Sequence, residues 1–135
     1  MAVHHEKLDI RTTAKVSTVD ITARVRAAVT RSKVKDGICV VAVLHTTAGV
    51  FVNENADPAV QHDLLSQLGK LVPREEEFQH AEGNADAHIK AVLTGNDVSL
   101  SVRDGELALG TWQGIYFADY DGPRERHTLV TVVGD

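Results

Sequence analysis

Residues 37–45, GICVVAVLH, place the tightest limit on the fold. The run is almost continuously apolar and rich in β-branched side chains. Such side chains lose rotamer freedom in a helix and pack well on a pleated surface. An unbroken run of this length fits a strand buried on both faces, so other elements must cover it on each side. It ends in His45-Thr46-Thr47, which delivers a histidine and two hydroxyls to the end of a buried strand.

The rest of the chain supplies the cover in short pieces. Residues 5–13 predict a first strand. In residues 19–32, Ile21, Val25, Ala28 and Val29 fall at helical spacing, with Thr18 or Asp20 placed to cap. Residues 49–54 predict a strand after a tight turn. Asp57-Pro58 then opens a helix, since Asp is a preferred N-cap and Pro suits the first helical position. Val60, Leu64, Leu65, Leu68 and Leu71 give that helix one apolar stripe to about residue 72, where Pro73 and the glutamates at 75–77 end it.

Residues 74–84 are polar and irregular, and 85–94 predict a helix closed by Gly95, with Asn84 or Asp86 as its cap. Strands at 98–103 and 106–109 flank the hairpin signal Asp104-Gly105. Strands at 114–119 and 126–133 flank the turn Asp121-Gly122-Pro123. Strands joined by tight turns run antiparallel. The expected fold is one α+β domain over residues 1–135, an antiparallel sheet or sandwich with two to three packed helices.

A net charge of −5 argues against a general nucleic-acid binder. Aromatic residues at 4% leave little for stacking on single strands. No stretch approaches the roughly 20 apolar residues of a membrane helix, and the amino terminus, MAVHHEKLDI, has no apolar signal core. The single cysteine, Cys39, forms no disulfide within the chain, which suits a reducing, cytoplasmic compartment.

Several polar residues lack a simple structural explanation. Glu54 follows an apolar strand in the run Asn53-Glu54-Asn55-Ala56-Asp57. His62 and Asp63 sit one turn into the next helix. In HAEGNADAH, residues 80–88, a helix start accounts for Asn84 and Asp86 and leaves His80, Glu82 and His88 over. His45, His80 and His88 with nearby carboxylates make a plausible zinc-type set, against the plainer reading of a satisfied strand end and a polar loop. Thr111, Trp112 and Gln113 stand between two glycines. Arg124 and Arg126 follow an acidic turn, where an arginine can clamp a phosphate or form a surface ion pair. Dinucleotide, P-loop and nucleophile-elbow signatures are absent, as are HExxH and CxxC.

Together, "HTTAGVFVNENADPAVQHDL", "H-x-EGNADAHIK", "GTWQGI" and "DGPRER" resemble, in this order, the YjbQ family, whose members are usually named secondary thiamine-phosphate synthases. The resemblance spans about residues 5–134. It implies a small α+β protein that assembles as a homotrimer. It also implies a transferase joining a hydroxymethylpyrimidine diphosphate to a thiazole phosphate. On this resemblance His45, His80 and His88 hold a divalent metal, zinc or magnesium, at a subunit interface. Glu54, Asp57, Asp63 and Glu82 become the catalytic carboxylates, and Thr46, Asn55, His62, Thr111, Gln113 and Arg126 contact a small phosphorylated substrate. Asp97 and Ser101 depart from the family pattern, where serine and proline are expected. The same residues would also serve a metal-dependent hydrolase of a small phosphorylated molecule, or a non-catalytic metal or small-molecule binding protein.

Overall fold

The run at 37–45 forms β3 (Gly37–Val43), the middle strand of a five-stranded sheet. A computed structural model describes residues 1–74 and 78–135. In chain order the elements are β1 (Ala2–Arg11), β2 (Ser17–Asp20), α1 (Thr22–Ser32), β3, β4 (Ala48–Glu54), α2 (Pro58–Leu71), α3 (Ala85–Thr94), β5 (Asp97–Arg103), β6 (Glu106–Leu107), β7 (Gln113–Asp119) and β8 (Glu125–Gly134). The large sheet runs β1-β8-β3-β5-β6 and a small one runs β2-β7-β4. Every pairing is antiparallel, so the α+β expectation holds. None of the described helices is long and apolar enough to cross a membrane.

The two sheets and α1 share one core. Ile10, Val41, Val130 and Val132 enter it from the large sheet, Val50, Ile115 and Phe117 from the small one, and Ile21, Val25 and Val29 from around α1. Alternate residues of a strand share a face. Along β8 this places Arg126 and Thr128 on the same side as Val130 and Val132, and all four are buried. Along β7 it places Asp119 on the side of Ile115 and Phe117. Two core-facing rows thus end in opposite charges.

Local signals explain most boundaries. Asp104 (φ 52°) and Gly105 (φ 79°) both take positive φ, as the two-residue hairpin requires. The Asp57 carboxylate accepts the Ala59 N–H at 2.9 Å, and Pro58 takes the first helical position. Asp20 Oδ1 accepts the Thr22 N–H at 2.9 Å, so Asp20 supports the start of α1. Helix α2 ends at Leu71, before Pro73, and residues 75–77 lie outside the described residues.

Several boundaries and faces differ from expectation. One face of β3 is only partly covered, with Ile38 55% exposed, and β6 stops at Leu107. Strand β1 begins at Ala2, because its first residues pair with the end of β8. Residues 17–20 form β2 against β7, where the sequence predicted the run-in to a helix, so α1 begins only at Thr22. The apolar stripe of α2 is not enclosed: Gln61 is its only buried residue, and Leu71 is 65% exposed.

Helix α3 packs Ala87 and Ala91 onto Ala118 and Tyr120 of the small-sheet side. Gly49 in β4 permits this approach, since a Cβ there would sit 2.7 Å from the Gly95 carbonyl oxygen. The packing carries the start of α3 to the end of β3, where the polar residues converge.

Candidate functional site

Arg126 and Asp119 form a buried ion pair. Arg126 Nε donates to Asp119 Oδ2 at 3.1 Å and Nη2 donates to Oδ1 at 2.6 Å. Their side chains are 4% and 0% exposed, so the pair is held almost without water. Nη2 also reaches Thr47 Oγ1 at 2.9 Å. Asp119 receives two further donors, the Thr12 hydroxyl at 2.6 Å and the Asp121 N–H at 2.9 Å. Burial pushes its carboxyl pKa up, but these hydrogen bonds outweigh burial and hold it below the usual range. Among the described residues none of Arg126's hydrogen bonds uses Nη1, and that atom is not sealed off.

A polar cavity of about 370 Å³ opens beside this pair. Arg126, Arg124 and Asp121 line it from the start of β8, Thr46 and His45 from the end of β3, and Glu82, Asn84 and His88 from the approach to α3. Burial raises the Asp121 carboxyl, yet hydrogen bonds from Lys15 and Asn84 outweigh it and hold its pKa at about 2. Asn84 Nδ2 donates to Asp121 at 2.9 Å, so Asn84 occupies the cap position of α3 without capping it through its side chain. Asp86 does not cap either; it pairs with Lys90 at 3.1 Å on the buried side of α3. A second, apolar groove of about 490 Å³ shares His45, Thr46 and His88 with the polar cavity and continues along Ala91 and Val92.

His45 is engaged by the backbone. The His127 N–H donates to His45 Nε2 at 2.8 Å, and the two imidazoles stack at 5.7 Å. His127 is held in turn by Asp9 at 2.8 Å. The His45 pKa lies below its ordinary value because of burial first, then the charges of Arg126 and His127.

The three histidines of the expected metal set are placed as follows. Among the described residues no group of three or more His, Cys, Asp or Glu side chains is placed to hold a metal ion. His80 and His88 do meet, edge to face at 5.1 Å, and His80 lies 3.7 Å from Glu82. His45 lines the same cavity as His88, and its Nε2 already accepts the His127 N–H.

The remaining candidate residues lie at the other end of β4. Glu54 ends the strand whose first residue, Ala48, lines the apolar groove; six steps of a strand span roughly 20 Å. There Asn55 Nδ2 donates to the Gln113 carbonyl at 3.4 Å, and Gln113 Oε1 accepts the Gly110 N–H at 2.7 Å. Thr111 is exposed on the same loop, and Asp57 is spent on its helix cap. His62 and Asp63 face solvent, each with an 82% exposed side chain. A single subunit therefore brings together His45, Thr46, Glu82, His88 and Arg126, with His80 against His88. It does not add Glu54, Asn55, Asp57, His62, Asp63, Thr111 or Gln113 to them.

Sequence reasoning passed over Asp119, Thr12 and His127, and it noted the Thr47 hydroxyl without giving it a role. Asp119 carried a readable signal, a carboxylate closing the apolar run GIYFAD on its core-facing register. His127 carried none, because its backbone amide does the work.

Comparison with known proteins agrees over the whole chain. The family model described as UPF0047 protein YjbQ-like matches residues 6–135. A UPF0047 protein of Methanocaldococcus jannaschii is 50% identical over 129 residues, covering 96% of this chain and 94% of that one. UPF0047 protein YugU of Bacillus subtilis is 41% identical over 128 residues, covering 94% and 97%. The crystal structure of an uncharacterised YjbQ/UPF0047 family protein of Clostridium acetobutylicum superposes with a TM-score of 0.93 at 45% identity, covering 95% and 99%. That of a similar protein of unknown function from Sulfolobus solfataricus gives 0.96 at 34% identity, with 98% of each chain covered. With the motifs, the fold and the sequence match in accord, the chain belongs to the YjbQ (UPF0047) family.

Proposed function

We propose that the polar cavity receives the phosphoryl end of a small phosphorylated molecule, and that the protein is a cytoplasmic transferase of the thiamine-phosphate synthase type. The observation that carries the anion reading is Arg126. It is fixed by Asp119 and Thr47 on one edge, and Nη1, beside a cavity, has no partner among the described residues. A guanidinium held this way needs little reorganisation to meet an anion. Arg124 stands at the rim, paired with Asp121 at 3.2 Å.

The transferase reading adds the family resemblance. In it a thiazole nitrogen attacks the methylene carbon of hydroxymethylpyrimidine diphosphate. A C–N bond forms, the C–O bond breaks, and its electron pair leaves with pyrophosphate. Arg126 and Arg124 are placed to meet that growing charge, and the apolar groove adjoins them for the ring. The divalent metal implied by the resemblance finds no three-ligand set among the described residues, so no step is assigned to it.

The homotrimer is part of the same proposal. The uncovered stripe of α2 supports it, since Leu64 and Leu68 line a shallow groove with Phe51, Val52 and Leu93. A head-to-tail contact between copies would also bring the end around Glu54 and Asp57 toward the arginine-lined cavity of a neighbour, and such contacts form a ring when the rotation closes.

The decisive experiment is titration calorimetry with inorganic pyrophosphate, alongside an assay for pyrophosphate release from the paired substrates. The intact protein is expected to bind pyrophosphate, and Arg126→Gln to weaken that binding by at least about tenfold. Binding without release from the paired substrates would reject the transferase and keep the anion site. Failure of the intact protein to bind would reject both.

A further inference from the structure

We propose that His45 is a hydrogen-bond donor locked in one tautomer, placed to donate through Nδ1 to the bound phosphoryl group. It is then neither a metal ligand nor a general base. This rests on the anion reading of the cavity and assigns His45 its part within it.

The lock begins in the large sheet. Strand β8 is paired on both edges, to β1 and to β3, which fixes the position of its backbone groups. Beyond the last residue of β3, the His127 carbonyl still accepts the Leu44 N–H at 3.2 Å. The His127 N–H then has no backbone partner to continue the ladder. It donates to His45 Nε2 at 2.8 Å instead. A backbone amide can only donate. Nε2 therefore presents its lone pair, and in a neutral imidazole the proton must sit on Nδ1.

The surroundings oppose the alternatives. Moving the proton to Nε2 would set two N–H groups head to head and leave a strand amide unpaired. Adding a second proton would do the same and place a cation beside Arg126 and Arg124 on the β8 side, with His127 stacked against the ring. Asp119 and Asp121 are the anions on this side, and both are already engaged, Asp119 by Arg126 and Thr12 and Asp121 by Lys15, Asn84 and Arg124. From the α3 side, His88 and Glu82 line the same cavity. The ring stays neutral with its hydrogen on Nδ1.

Nδ1 has no hydrogen-bond partner among the described residues and is not enclosed by protein. A metal ligand or a general base needs a lone pair at that atom, and the lock removes it. A hydrogen there can only meet an acceptor. Together with Arg126 Nη1 it makes two fixed, unpartnered donors around one cavity.

Two substitutions separate this role from simple support of the strand. An asparagine amide nitrogen overlays His Nδ1, and a glutamine amide overlays Nε2. If Nδ1 donates to the ligand, H45N keeps inorganic phosphate binding within about threefold of the intact protein, while H45Q loses at least about tenfold. If His45 only satisfies the His127 amide, the order reverses, and the proposal falls. Long-range proton–nitrogen spectra of the intact protein supply a readout independent of the variants. The expected signature is a protonated Nδ1 and a bare Nε2 from pH 6 to pH 8, unchanged by added zinc. A protonated Nε2, or zinc bound at His45, would overturn the lock while leaving the anion site standing if phosphate still binds. The expected tautomer without any phosphate binding would overturn the anion reading, and with it the donor role.

Discussion

At the scale of single residues the cavity depends on one buried pair. Asp119 and Arg126 were carried inward by strand periodicity, and each is costly to bury without the other. Asp119→Asn leaves an uncompensated guanidinium and is expected to lower stability by about 3–5 kcal/mol, read from urea denaturation midpoints. The same groups set the acid response. Asp119 has a depressed folded pKa, so its contribution is present above its unfolded value and is lost as pH falls through the folded value. His45 is also depressed from 6.5, so the unfolded chain takes up this proton first. The melting temperature is therefore expected to fall as pH drops below about 6.5. His45→Asn should flatten the upper part of that decline, and an unchanged slope between pH 5 and pH 7 would contradict the assignment.

At the scale of elements, caps and close approaches hold the helices where the site needs them. Asp57→Ala removes the acceptor for the Ala59 N–H and should cost about 1 kcal/mol without touching the cavity. Gly49→Ala is the sharper test. Its methyl would press on the Gly95 carbonyl and on Thr94 at the end of α3. Overpacking of this kind costs about 1–3 kcal/mol. Because α3 also carries His88 into the cavity, phosphate affinity should drop along with stability, whereas Asp57→Ala should change affinity only where a neighbouring copy brings Asp57 to the cavity. Calorimetry on the two variants distinguishes them.

Most of these elements were legible because their causes are local. The Asp57-Pro58 start, the Asp104-Gly105 hairpin and the run at 37–45 each act through neighbouring residues. Strand β2 was not legible. Four residues, STVD, show no periodicity of their own, and they become a strand only because β7 offers an open edge. The α2 stripe was read correctly as a pattern, but a pattern says that a face is apolar and not what covers it.

At the scale of the whole molecule, a second copy is the proposed cover for that face. Light scattering should give three times the chain mass, and Leu68→Glu should shift the protein toward the monomer. A monomeric intact protein would remove the trimer, and with it the route by which Glu54 and Asp57 could approach a neighbour's cavity.

Side-chain identity and short spacing set the family and, β2 aside, the order of strands and helices, and they put His45 and Arg126 among the candidate residues. Only the tertiary structure decided that Glu54 and Gln113 stand a strand's length from His45, and that His45 offers a proton rather than a lone pair. Both depend on contacts between residues far apart in sequence, such as the amide of His127 against the ring of His45. A backbone hydrogen bond of that kind leaves no trace in side-chain identity.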